Sequence, residues 1–331
     1  MKMRRVVVLG SNSFSGSDFI DLLSEDLQNE VVGISRSPEK DPVFLPYKQK
    51  NSSHFTFHQL DLNHDTSRIV DLLDAFKPDY IINFAAQSEV APSWEHPEQW
   101  FQTNVVSLAK FINAIKDRKY LKKYIHISSP EVYGTCVGTV TESAPVNPST
   151  PYAASKAAAD LFLFTLYKNF NFPLVVIRST NVYGAHQQLF KIIPKSVISI
   201  KLGKKIPLHG GGAAVKSYIH IRDISRGELA VMERGKTGNI YHLSPDGGYS
   251  VKEVVSKICT LMGKKFGDCT DIVGERLGQD AAYVIDSTLA RSELGWMPTV
   301  TLDTGLNQVV EWVNRDWEAI RKEPLDYIHK E

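Results

Sequence analysis

Arg5-Val6-Val7-Val8-Leu9-Gly10-Ser11-Asn12-Ser13-Phe14-Ser15-Gly16 sets the architecture of the chain. The apolar run Arg5 to Leu9 reads as a strand buried on both faces. The turn Gly10 to Gly16, rich in Gly and Ser, leads into residues with helical spacing, Phe19 to Leu27. Small residues at such a turn let main-chain N–H groups approach a pyrophosphate at a helix N-terminus. Gly10 and Gly16 fit that need, and Ser13 stands where the usual pattern has its middle glycine. Phe14 and Ser15 complete the cofactor-facing turn.

Working outward, strands and helices alternate. Strands are expected at Val31 to Ile34, Phe55 to Leu60, Tyr80 to Phe84, Tyr124 to Ile127 and Leu174 to Ile177. Helices are expected at Ile69 to Phe76, around Trp100 to Ile115, and through Tyr152. This rhythm implies an α/β fold with a Rossmann-type, doubly wound parallel sheet. Ligands bind such sheets at the carboxyl ends of the strands. Gly10, Ser35, Asp61, Ala85, Ser128 and Ser179 each follow an expected strand. After about residue 180, Gly and Pro punctuate a smaller mixed α/β unit. The expected division is a dinucleotide-binding domain at 1–180, a mainly substrate-binding domain at 181–322 with some chain exchanged with the sheet, and a tail at 323–331.

Composition bounds the function. The chain has 331 residues, 43% apolar and 23% charged, with net charge +1. That balance gives no global attraction to nucleic acid or to a membrane surface. No apolar run is long enough to span a bilayer. The three cysteines, Cys136, Cys259 and Cys269, form no Cys-x-x-Cys pair, which suits a reducing, cytoplasmic setting without structural zinc.

The second strand ends in Ile34-Ser35-Arg36-Ser37. A carboxylate there would accept from a ribose 2′-OH and favour NAD. A guanidinium with hydroxyls suits a 2′-phosphate instead. The expected cofactor is therefore NADP, with NAD the alternative. Asp61 and Leu62 should lie near the adenine ring. Asn83-Phe84-Ala85-Ala86 supplies small residues where cofactor must pass.

Tyr152-Ala153-Ala154-Ser155-Lys156 puts a phenol and an ammonium on one helix face. An ammonium beside the phenol would lower its pKa and make it a proton acceptor for an alcohol losing hydride. Upstream stands Ser128-Ser129-Pro130-Glu131-Val132-Tyr133-Gly134.

Taken together, these residues resemble the extended short-chain dehydrogenase/reductase family, and most of all its nucleotide-sugar 4,6-dehydratases. Further matches are Ala85-Ala86-Gln87-Ser88, Thr103-Asn104, Asn181-Val182-Tyr183-Gly184, Tyr218-Ile219-His220-Ile221-Arg222-Asp223, Glu275-Arg276-Leu277-Gly278-Gln279-Asp280 and Leu294-Gly295-Trp296. The resemblance implies that Tyr152, supported by Lys156 and Ser129, takes the sugar 4-OH proton. Glu131 takes the C5 proton, and water leaves from C6. It adds Ala86, Ser88, Asn104, Ser128 and Ser179 to the cofactor site. Ser88, Asn181, Lys191, His209, Lys216 and Arg276 are its candidates for the nucleotide-diphosphate sugar. It also implies a homodimer through two helices, with Phe101, Val105, Leu108, Phe111, Leu161, Phe164 and Leu166 as surface. The five Trp residues are read as packing, without chemistry.

Two departures stand out. Pro130 occupies a place where the dTDP-glucose enzymes carry an aspartic acid that protonates the leaving group, and Glu89 replaces a histidine near the sugar. A 5,6-dehydratase, a 4-epimerase or a glucuronate decarboxylase would share the scaffold. A non-catalytic dinucleotide-binding regulator is the reading of another class.

Overall fold

The computed structural model describes residues 3–50, 54–135, 138–274 and 284–330. Seven parallel strands form the central sheet: β1 Arg4–Leu9, β2 Asn29–Ser35, β3 Phe55–Gln59, β4 Tyr80–Asn83, β5 Lys123–Ile127, β6 Leu174–Ser179 and β7 Ile240–Leu243. Their spatial order is β7-β6-β5-β4-β1-β2-β3. The order reverses between β1 and β4, which opens a crevice at the carboxyl end of β1.

Alternation along β1 explains why the sheet needs cover on both sides. Val6 and Val8 pack with Phe19, Ile20 and Leu23 of α1 (Phe14–Leu23) and with Ile224 and Val231 of a later helix, Ile221–Arg234. Val7 and Leu9 pack on the other face with Ile69 and Leu73 of α2 (Thr66–Phe76), Phe111 and Ile112 of α3 (Leu108–Ile115), and Leu163 of α4 (Pro151–Phe170). Val6, Val7 and Val8 are all fully buried. Each such side chain contributes about 1.5–3 kcal/mol relative to exposure. A second core, around Ile193, Val197, Val254, Ile258, Leu306 and Trp312, lies in the later part of the chain.

Two sequence expectations change. The first helix starts at Phe14, not Phe19, because Ser13 caps it by accepting from the Gly16 N–H at 3.0 Å. It ends at Leu23, and Leu27 is exposed. The helix expected from Trp100 begins at Pro97 and widens through a π turn at Gln102–Ser107. The later part of the chain lends β7 to the sheet beside β6, with Ile240 opposite Val176.

Candidate active site

The glycine turn is built for close approach. Gly10 has φ +82°, and a Cβ there would come within 2.8 Å of the Ala85 nitrogen. A Cβ on Gly16 would meet the Gly10 carbonyl oxygen at 2.4 Å. Ser13 turns its hydroxyl back onto its own helix, so the missing middle glycine leaves the cradle clear. The turn opens onto a cavity of about 300 Å³ lined by Gly10, Ser13, Ser35, Arg36, Ser37, Asp61, Leu62, Ala85, Ala86 and Ser88. These are ten of the expected cofactor residues. An elongated dinucleotide, with pyrophosphate at the α1 N-terminus, fits this donor set.

The other expected cofactor residues have different work. Ser35 also accepts from the Asn12 N–H at 3.0 Å, which ties the end of β2 to the glycine turn. Asn104 sits in the π turn and holds Gln87 from both sides: its Oδ1 accepts from Gln87 N at 2.9 Å and its Nδ2 donates to Gln87 O at 3.0 Å. It reaches on to Ser155 Oγ, which donates to the Tyr152 carbonyl. Ser128 donates to Asp160 at 2.7 Å, so its hydroxyl is spent inside the protein. Ser179 ends β6 beside Leu243. Phe14 is buried in the first turn of α1, next to Ser15.

Tyr152 and Lys156 lie in the first turns of α4. Pro151 opens this helix, and Thr150 caps it by accepting from the Ala153 N–H. The Ser129 hydroxyl stands beside the Tyr152 phenol, and the Glu131 carboxylate is near enough for its charge to act there. Ser129 also accepts from the Glu131 N–H at 3.2 Å, which fixes the short turn Pro130–Tyr133. Ser129, Glu131, Tyr152 and Lys156 thus converge where β5 ends.

The expected depression of the phenol pKa is not met in this structure. Burial pushes it up, Glu131 adds to the rise, and the Ser129 hydroxyl opposes it. Lys156 explains the outcome. Its ammonium donates to the Ile127 carbonyl at 2.7 Å and lies 3.3 Å from His126 Nε2. Burial lowers the Lys156 pKa to about 8, with Asp160 pulling the other way. His126, fully enclosed and beside Lys156 and Arg178, is held well below its ordinary value and is therefore neutral.

Sequence reasoning missed the buried network behind this pair. Asp160, one turn beyond Lys156, accepts from Arg178 at 2.8 Å and from Ser128. Arg178 also donates to the Tyr133 hydroxyl, whose other partner is His242 Nε2 at 2.7 Å. The i, i+4 spacing of Lys156 and Asp160 was the available signal.

The substrate candidates are more scattered. Asn181 keeps a buried Nδ2 without a hydrogen-bond partner, a donor suited to a bound ligand. Lys191 was expected on a diphosphate, but its ammonium is paired with Glu89 at 2.7 and 2.9 Å. His209 contacts the Gly274 carbonyl at 2.9 Å. Lys216 pairs in register with Tyr249. Arg276 lies outside the described residues.

Of the expected dimer surface, Leu108, Phe111 and Leu166 are buried in the chain's own core. Phe101 and Leu161 are exposed, as is Trp94, which does not pack as expected.

A family model described as GDP-mannose 4,6 dehydratase matches residues 7–309. The chain belongs to this family. Among similar proteins, the dTDP-glucose 4,6-dehydratase of Haemophilus influenzae is 28% identical, over 94% of this chain and 98% of that protein. The human dTDP-D-glucose 4,6-dehydratase is 29% identical, over 96% and 93%. Among solved structures, the Bacillus anthracis dTDP-glucose 4,6-dehydratase in complex with NAD superposes with TM-score 0.86 at 27% identity, over 95% of this chain and 98% of that one. The Streptomyces venezuelae dTDP-glucose 4,6-dehydratase with NAD bound does so at 0.86 and 28%, with the same coverage. The nucleotide-sugar dehydratase family thus includes this chain, with its nicotinamide-dependent chemistry.

Proposed function

We infer that the protein is a nucleotide-sugar 4,6-dehydratase that turns a nucleoside-diphosphate hexose into its 4-keto-6-deoxy derivative. The carrying observation is the meeting of the Tyr152 phenol with Ser129 and Glu131 at the carboxyl end of β5. A nicotinamide dinucleotide held along Gly10, Ser13 and Ala85 would supply the hydride chemistry between C4 and C6 and, when oxidised, a positive ring charge near the phenol. Tyr152 takes the 4-OH proton, and Ser129 hydrogen-bonds the same oxygen. Lys156 holds its charge one helical turn away. Glu131 takes the C5 proton. Proline has no side-chain donor, so Glu131 also hands that proton to the departing C6 oxygen, and C5 regains a proton from water.

In this reading residues 1–180 carry the dinucleotide, and residues 181–322 carry mainly the sugar nucleotide, with Asn181 as a contact. The enzyme works in the cytoplasm as a homodimer through the faces bearing Phe101 and Leu161. Among the described residues, no helix is long and apolar enough to cross a membrane.

The dinucleotide is NAD in the first reading, as in the solved relatives. One observation favours NADP as the second: Arg36 and Ser37 line the cavity, and residues 34–38 contain no carboxylate. Heat release and mass measurement of the co-purified dinucleotide separate the two.

The activity test is incubation with a panel headed by dTDP-glucose and GDP-mannose, in deuterated water, followed by mass spectrometry. Loss of one water, with one deuterium at C5 and no lasting reduced cofactor, is the expected result. An isomer of unchanged mass, or loss of carbon dioxide, overturns the reading.

A further inference from the structure

Residues 323–330 alternate between half-buried and exposed positions, with Glu323, Leu325, Tyr327 and His329 turned inward. That is the period of extended chain laid on a surface. The segment connects both parts of the molecule. Asp326 pairs with Lys195 at 2.9 Å, and Tyr327 meets the Phe190 ring edge-on, with centroids 5.3 Å apart. His329 stacks on His96 at 5.0 Å and on Trp100 at 5.6 Å, both within 8° of parallel, and its Nε2 lies 2.6 Å from Gln99 Oε1. Beyond it, the Lys330 carbonyl accepts from Gln87 Nε2 at 2.8 Å and from the Arg36 guanidinium at 3.0 Å.

Part of this segment and two of its partners wall the cavity at the glycine turn. Arg36 and Gln87 line it, and so do Tyr327, Ile328 and Lys330, in the same wall set as Gly10 and Ser13. Gln87 is the residue that Asn104 grips, and Asn104 leads through Ser155 to the main chain of Tyr152.

We propose that residues 325–330 form a cofactor-retaining strap, anchored by the His329 ring and the Lys330 carbonyl, that keeps the dinucleotide in its cleft through successive turnovers. The proposal rests on the reading of this cleft as the dinucleotide site. A dehydratase that returns the hydride it removes gains nothing from releasing its cofactor, and a wall of chain slows that release. Loading then requires the His329 stack and the Lys330 contacts to open. The strap acts on the off-rate rather than on the chemistry.

The test compares the full chain with a variant ending at Lys322 and with His329→Ala. Two quantities are measured: dinucleotide co-purified per chain, and the off-rate of bound NADH, followed by fluorescence during displacement with excess NAD. Wild type should retain its dinucleotide. The truncated chain should release it at least about tenfold faster, a difference of about 1.4 kcal/mol, with His329→Ala between the two. The cofactor-free forms should each unfold in one cooperative thermal transition, which separates loss of the strap from loss of the fold. Equal off-rates in all three proteins overturn the strap alone. Failure of wild type to bind either NAD or NADP in a titration overturns the reading of the cleft, and the strap with it.

Discussion

The ammonium of Lys156 donates to the main-chain carbonyl of Ile127, 2.7 Å away. The lysine is thereby fixed to the end of β5, the strand that leads into Ser129 and Glu131. Burial holds its pKa at about 8, against 10.5 for a free lysine. Below about 8 it is charged in both folded and unfolded chains, and the burial penalty is present in full. Between about 8 and 10.5 the unfolded chain binds more protons than the folded one, so this group's contribution to stability rises with pH. Urea unfolding of wild type and Lys156→Met at about pH 7 and about pH 10 should show that rise in wild type only. Equal pH slopes in the two proteins would contradict the buried, weakened lysine.

Glu131 separates oxidation from elimination. Glu131→Gln should keep C4 oxidation and lose water release by about 10²–10⁴-fold, the usual worth of a positioned proton-transfer group. On mixing with substrate, reduced nicotinamide should then build up in absorbance instead of vanishing within the turnover. Water release at the wild-type rate would remove Glu131 from the C5 step.

Asp160 and Arg178 form a buried pair, each side chain only 3% exposed. Removing one partner leaves the other charge uncompensated, at a cost of about 3–5 kcal/mol. Asp160→Ala should therefore lose stability of that order in denaturant unfolding. The double variant Asp160→Ala with Arg178→Met should recover part of it. A fully additive double variant would mean that the two side chains are not coupled.

Gly10→Ala combines a positive φ with a clash against the Ala85 main chain. The strain is on the order of 1–3 kcal/mol, and relieving it moves the turn that should cradle pyrophosphate. Dinucleotide affinity measured by calorimetry should fall by about tenfold or more, with β1 still protected from hydrogen exchange.

Much of the architecture was readable because buried parallel strands leave continuous apolar runs, as in Val6-Val7-Val8 and Ile81-Ile82. The strand Ile240-Tyr241-His242-Leu243 escaped because it is short and carries a histidine. The structure satisfies that histidine through Tyr133 and the Asp286 carbonyl. The first helix was placed late because Phe19 begins the apolar spacing, whereas Ser13 makes the cap. Tyr152 and Lys156 were legible from spacing on one helix. The direction of the Lys156 ammonium was not, since Ile127 and His126 reach it only through the tertiary fold. The Lys191–Glu89 pair hid for the same reason, since the partners are 102 positions apart. Tyr327-x-His329 carried a signal in its alternation, easily taken for a loose end.

The seventh strand has a consequence for how the chain can be made and divided. A ribosome delivers β1 to β6 about sixty residues before Ile240–Leu243 arrives, so the nascent sheet waits with the rim of β6 unpaired. Unpaired strand rims invite intermolecular pairing. A genetically excised 1–180 half would carry that sticky rim permanently. Expression of that half should yield aggregates, and adding back 181–331 in trans should rescue solubility by supplying the missing strand.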